Sequence, residues 1–145
     1  MVALYSGNMG EKQGLEIVVE AARILESDAP NIRFVLCGEG AAKVRMQALA
    51  ADLSNVLWLP LQPLARLNEL LNFVDIHLLP QRADAADLVM PSKLTGMLAS
   101  GRPVLATAHA GTELAGVVAG CGVVVEPGNV QAFVDALRQL AADGE

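Results

Sequence analysis

Lys93 is the charged residue of this sequence whose placement most needs a chemical reason. It stands in the stretch from Met90 to Ala106, which reads as loop, helix, tight turn and strand. Pro91 suits the first turn of a helix, where its missing N–H costs nothing. Leu94, Met97, Leu98 and Gly101 follow at helical spacing, so one face is apolar or small. Gly101 ends the helix and Pro103 forbids its continuation. A cation in that first turn opposes the helix dipole and costs about 0.3–1 kcal/mol. A bound anion reverses the sign, because the free N–H groups of Ser92, Lys93 and Leu94 point at it. Phosphate is the anion that fits. A solvated surface lysine explains the same residues equally well, and the pattern alone leaves both readings standing.

Other residues with chemical potential are fewer. The turn Gly7-Asn8-Met9-Gly10, followed by Lys12 and Gly14, feeds a helix and can bring backbone N–H groups near a diphosphate. Its spacing is neither the dinucleotide fingerprint nor the Walker pattern, so a plain strand-to-helix turn is an equal reading. Glu39 lies between glycines after a strand. It can accept from a ribose hydroxyl, although such residues more often serve only the helix dipole. His77 falls inside an apolar strand and reads as a core histidine, whereas His109 lies in a loop. Cys37 and Cys121 read as small buried hydrophobes. No Ser–His–Asp set, carboxylate pair or metal-ligand cluster assembles from the spacing, so the sequence names no catalytic residue and no metal site.

The elements that must position these residues alternate along the whole chain. Strands are expected at Val2–Ser6, Ile32–Cys37, Val56–Leu59, Ile76–Leu79, Val104–Ala106 and Cys121–Val125. Helices are expected from Glu11, with Leu15, Val18, Val19, Ala22 and Leu25 on the apolar face. Further helices are expected after Gly40 to about Leu53, over Leu64–Phe73, after Pro91, after Thr112, and from Asn129 to near Ala142. Between Pro80 and Met90 lies a polar loop with Arg82, Asp84 and Asp87. Short apolar runs without alternation imply strands buried on both faces. Six alternations with right-handed crossovers give an α/β fold, a doubly wound parallel six-stranded sheet with helices on both faces. Ligands of such sheets sit outside the strands' carboxyl ends, where the Gly7 and Gly38 turns, the Arg82 loop, Lys93 and His109 all fall.

Composition narrows the classes. The chain has 145 residues and a net charge of −6, which suits one domain and argues against a nucleic-acid surface. Apolar residues make up 53% but aromatics only 3%, so Ala, Leu and Val must build the core. No apolar run reaches the roughly 18–20 residues of a membrane span. Two cysteines without metal spacing suit a reduced, cytoplasmic setting. An apolar strand that begins at Val2 suggests a piece of a longer protein.

Several segments, in this order, resemble the C-terminal, donor-binding domain of GT-B glycosyltransferases, in particular the retaining family 4. They are Tyr5 to Gly14, Val35 to Gly40, Asn55 to Leu59, Val74 to Pro80, Pro91 to Lys93, Gly101 to Val104 and Gly120 to Gly128. Gly-Asn-Met-Gly together with Pro-Ser-Lys-Leu-Thr resembles the exopolysaccharide, colanic-acid branch of that family most. The resemblance covers nearly the whole chain. It implies a Rossmann-like half of a two-domain enzyme that binds a UDP- or GDP-sugar donor, transfers the sugar with retention, and needs no cofactor or metal. It further implies an acceptor, a lipid-linked saccharide, held by an N-terminal domain outside this chain at the inner face of the plasma membrane.

By the same resemblance, the donor diphosphate falls to Asn8, Gly10, Lys12, Ser92, Lys93 and Leu94. The nucleoside or sugar falls to Glu39, Leu59, Leu61, Arg82 and Asp87. The sequence also departs from the family. Many members carry Arg where Asn8 stands and Lys where Gln13 stands, so Lys12 is expected to take part of that role. Two glutamates seven residues apart are replaced by Val89 and Gly96, which leaves Asp87 or backbone to contact the sugar. Two readings from other classes remain: a nicotinamide-binding oxidoreductase module, which lacks its glycine fingerprint here, and a non-catalytic partner-binding domain.

Overall fold

A computed structural model describes residues 1–82 and 93–143. Strand β1 (Val2–Ser6) leads through a single 3-10 turn (Glu11–Gln13) into α1 (Glu16–Asp28). Then follow β2 (Arg33–Cys37), α2 (Lys43–Leu49), β3 (Val56–Leu59), α3 (Leu64–Phe73) and β4 (Ile76–Leu79). The rest comprises α4 (Leu94–Ser100), β5 (Val104–Thr107), α5 (Glu113–Ala119), β6 (Gly122–Val125) and α6 (Val130–Asp143). The six strands form one sheet in the order β3-β2-β1-β4-β5-β6, and every neighbouring pair is parallel. This is the doubly wound topology expected from the alternation.

Helices α1, α2 and α6 cover one face. Leu15, Val18, Ala22 and Leu25 of the predicted stripe are buried there against Tyr5, Phe34, Leu36 and Phe133. Each such side chain withdrawn from water stabilises by about 1.5–3 kcal/mol. On the other face, α4 and α5 pack Leu94, Met97, Leu114 and Val118 against Leu79, Val104 and Ala106. Helix α3 lies over Leu4, Val35 and Cys37 through Leu70, yet none of its own residues is buried.

Four local expectations are corrected. Gly14, in the left-handed conformation, stops the turn that Glu11 opens, so α1 begins only at Glu16. Helix α2 ends at Leu49, short of Leu53. The edge strands β3 and β6 are half-buried, and Leu57 on β3 is exposed, because an edge strand has a neighbour on one side only. Leu98 is exposed, and Cys121 is only partly buried, packed at the margin of the core beside α5.

The carboxyl edge of the sheet is tied together by backbone. Gly7 N–H donates to Cys37 O at 2.9 Å, Met9 N–H to Glu39 O at 2.8 Å, and Ala42 N–H to Met9 O at 2.9 Å. The β1–β2 pairing thus runs on into both loops. Glycine is required at Gly38: its φ is +152°, and a Cβ there stands 1.9 Å from Gly7 O.

Candidate functional site

Lys93 is partly buried against Tyr5 rather than fully solvated. It occupies the N-cap of α4 rather than its first turn, with its own backbone helical. Helix α4 has only seven residues, so the dipole carries less of the case than the side chain does. That side chain reaches over the sheet's carboxyl edge to β1. Its Nζ donates to the Tyr5 hydroxyl at 2.9 Å and lies 4.1 Å from the Tyr5 ring centroid. It sits 3.4 Å from where a Cβ on Gly7 stands.

Burial alone pushes the Lys93 ammonium down from 10.5 to about 8. No carboxylate among the described residues pairs with it. At pH 7 the group is still mostly protonated, so a partly dehydrated cation is held here with no counter-ion among the described residues. Burial also pushes the Tyr5 phenol well above its usual range, so Tyr5 stays neutral beside it. The Tyr5 hydroxyl in turn donates to Asn8 O. Two parts of the predicted diphosphate site, Lys93 and the Gly7–Gly10 turn through its Asn8 carbonyl, therefore meet at one phenol.

The other expected residues fall at the same edge with different surroundings. Lys12 is exposed on the 3-10 turn, and its carbonyl accepts from Arg82 N–H at 3.1 Å. Glu11 of that turn pairs with Arg45, whose guanidinium also lies 3.8 Å from Glu16, so α2 braces the turn. Gly10 is half-buried under the Gln13 side chain, whose Oε1 is buried without a hydrogen-bond partner. Arg82 is exposed and lines a groove of about 390 Å³ with Gly14, Glu16, Glu20 and Gln81. Gln81 fixes this stretch by exchanging hydrogen bonds with Thr107: its N–H donates at 2.7 Å and its carbonyl accepts at 3.0 Å. Leu94 directs its side chain into the core. Ser92 and Asp87 lie outside the described residues.

Glu39 is engaged by Lys43 at 3.0 Å, and Lys43 also donates to Gly38 O at 2.8 Å. A ribose hydroxyl has to share that carboxylate. Leu59 is half-buried and Leu61 is exposed beside the end of β3. Gly38 N–H donates to Leu59 O at 3.1 Å, which ties the Leu59 strand end to the Glu39 loop. His109 Nδ1 lies 2.9 Å from Glu126 Oε2, so the two carry a hydrogen bond across the ends of β5 and β6. His77 is buried as expected; its Nε2 shares a hydrogen bond with Ser100 Oγ at 3.0 Å, and its Nδ1 has no partner.

Sequence reasoning missed Tyr5 and Lys43. The available clue to Tyr5 was scarcity: it is the chain's single tyrosine, and it ends a strand that feeds a glycine turn. A concavity of about 470 Å³ opens at the opposite, amino end of the sheet, among Asn31, Asp75 and Arg102. Its polar groups are used by the fold: Asp75 accepts from Val2 N–H at 2.8 Å and Arg102 donates to Asn72 O at 3.1 Å.

Residues 1–143 match the family model described as glycosyl transferases group 1. The chain is 46% identical over 143 residues to WcaI of Escherichia coli K12, named a colanic acid biosynthesis glycosyl transferase. That match covers 95% of this chain and 35% of the relative. The structure of WaaG, a glycosyltransferase involved in lipopolysaccharide biosynthesis, superposes with a TM-score of 0.75 at 26% identity, over 97% of this chain and 38% of that one. HepE of Anabaena, solved with UDP and glucose, shares the fold at a TM-score of 0.76 and 15% identity, over 99% of this chain and 39% of that one. The chain spans about a third of the length of the curated relatives it matches.

Proposed function

We propose that this chain, which belongs to the group 1 glycosyl transferases, binds a nucleoside-diphosphate sugar through its diphosphate and belongs to an enzyme that transfers the sugar. The observation that carries the reading is Lys93: a partly dehydrated cation with no carboxylate partner among the described residues, at the sheet edge where ligands of this topology bind. A diphosphate supplies the missing negative charge. The Gly7–Gly10 turn brings backbone beside it, and Lys12 adds a mobile charge from the rim. Charge that develops on the departing diphosphate is stabilised by groups already in place before reaction. In this reading the charge falls to Lys93, Lys12 and backbone amides rather than to a metal, and the sugar keeps its anomeric configuration.

Glu39 and the strand end at Leu59 and Leu61 flank the space for the nucleoside. Arg82, exposed at the same edge, is assigned to the nucleoside or sugar, as is Asp87 by the resemblance alone. The HepE structure holds UDP and glucose, which favours a UDP-sugar as the first donor to test. The acceptor, a lipid-linked saccharide of exopolysaccharide synthesis at the inner membrane face, is bound by an N-terminal domain beyond these 145 residues. No helix among the described residues is long and apolar enough to cross a membrane. The oxidoreductase alternative is disfavoured by the missing glycine fingerprint, and a plain partner-binding domain leaves Lys93 without a purpose.

The test is calorimetric titration of the purified chain with UDP, GDP, uridine and guanosine. Binding of a diphosphate at least tenfold tighter than its nucleoside supports the reading. Equal affinity for UDP and uridine, or no affinity for either diphosphate at millimolar concentration, refutes it.

A further inference from the structure

We infer that Tyr5 is the positioning residue of this site, holding Lys93 and the Asn8 turn in one arrangement before any ligand arrives; the role in binding rests on the reading above. The hydroxyl has one proton and two lone pairs. Its proton goes to Asn8 O, so toward Lys93 it can only accept, and it accepts from Nζ at 2.9 Å. That polarity favours the ammonium over the neutral amine. The ring face adds a second attraction for the same cation at 4.1 Å. Tyr5 is fully buried in the core beneath α1, so its own position is fixed by packing.

The geometry also explains why the cation survives its burial. Lysine has three donors, and among the described residues Tyr5 is the acceptor that Nζ finds. No described carboxylate faces it, from β1, from the Gly7 turn or from α4. Gly7 leaves room for the ammonium, since a Cβ there stands 3.4 Å from Nζ. A single phenol thereby joins a strand end, the backbone turn after it, and a cation 88 residues further along the chain. Ordering these groups in advance spares the ligand the entropy of gathering them.

The test is Tyr5→Phe, which keeps the ring and removes only the hydroxyl. The chain has three lysines, Lys12, Lys43 and Lys93, so their side-chain carbons are separable in a 13C-labelled sample. In the unliganded variant, Lys93 is expected to titrate lower than in the wild type. UDP affinity is expected to fall roughly five- to tenfold, as for a lost hydrogen bond to a charged group. In a Lys93→Ala background the same change is expected to cost less than twofold, because its effect passes through Lys93. An unchanged Lys93 titration, or an equal loss in both backgrounds, overturns the inference.

Should Tyr5→Phe fail to fold, the wild type decides: protons on Lys93 Cε must be shifted upfield by the ring, and normal shifts overturn the inference. If the wild type binds no nucleoside diphosphate, the reading under Proposed function fails separately. The titration of Lys93 in the free protein then still accepts or rejects Tyr5 as its holder.

Discussion

Replacing Lys93 by methionine should move stability and affinity in opposite directions. Burial lowers the Lys93 ammonium from 10.5 to about 8. At about 1.4 kcal/mol per pKa unit, the charged form costs the ligand-free fold about 3 kcal/mol at pH 7. Methionine fills the same space without charge, but it gives up the contact with the Tyr5 ring and hydroxyl, about 1 kcal/mol. The side chain is also only partly withdrawn from water, so the expected net gain is about 1–2 kcal/mol.

The sign with pH follows from proton binding. Between pH 8 and 10.5 the unfolded chain holds a proton on Lys93 that the folded chain has released. Wild-type stability therefore rises through that window, and the advantage of Lys93→Met shrinks to less than half by about pH 9.5. Urea denaturation of both proteins at pH 7 and 9.5 measures this. Affinity for UDP should fall about ten- to a hundredfold at pH 7, the range for a charge-assisted hydrogen bond. A variant no more stable than wild type at pH 7, or a gain that does not change with pH, refutes the picture of a cation held at a desolvation cost.

Three further outcomes are expected. Wild-type UDP affinity should drop about tenfold between pH 7 and 9 with uptake of a proton, because free Lys93 changes from mostly charged to mostly neutral across about pH 8; calorimetry in two buffers of different ionisation enthalpy checks it. Burial lowers His77, so the unfolded chain takes up that proton first and stability falls below about pH 6.5; urea midpoints at pH 7.5 and 5.5 should differ less for His77→Leu than for wild type. Gly38→Ala should cost at least about 2 kcal/mol in urea denaturation and weaken UDP binding, because a Cβ there collides with the carbonyl of Gly7 beside Lys93.

The fold was legible because the strands are short apolar runs, four of them closed directly by Gly or Pro, and the long helices α1 and α6 keep a 3.6-residue stripe. Leu15, Val18, Val19, Ala22 and Leu25 predicted the buried face of α1 for that reason. The start of α1 was misplaced because Gly14 acts through a left-handed backbone, which hydrophobic spacing does not record. Leu57 was misjudged because hydrophobicity does not tell an edge strand from a central one, and Leu98 because helical spacing alone does not set how wide the buried face of α4 is. At the site, Lys93 was legible as a misfit, but the local argument found the wrong reason. Its strain comes less from a two-turn helix than from dehydration against Tyr5. That partner is 88 residues away, and no local pattern reaches so far.

The sheet order carries a mechanical meaning. Along β1 and β2 the register runs from Val2 with Arg33 to Ser6 with Cys37, whereas β1 and β4 are registered only through Ala3 with Ile76 and Leu4 with His77. This short seam divides the sheet into two three-stranded blocks, one ending with β3 and the other beginning with β4. Tyr5 belongs to the first block, and Lys93 enters from the second. If an anion binds at Lys93 as proposed, it bridges the seam. Nucleotide should therefore slow amide exchange on both sides of the β1–β4 junction together, and a chain whose blocks have not zipped has nowhere to hold it.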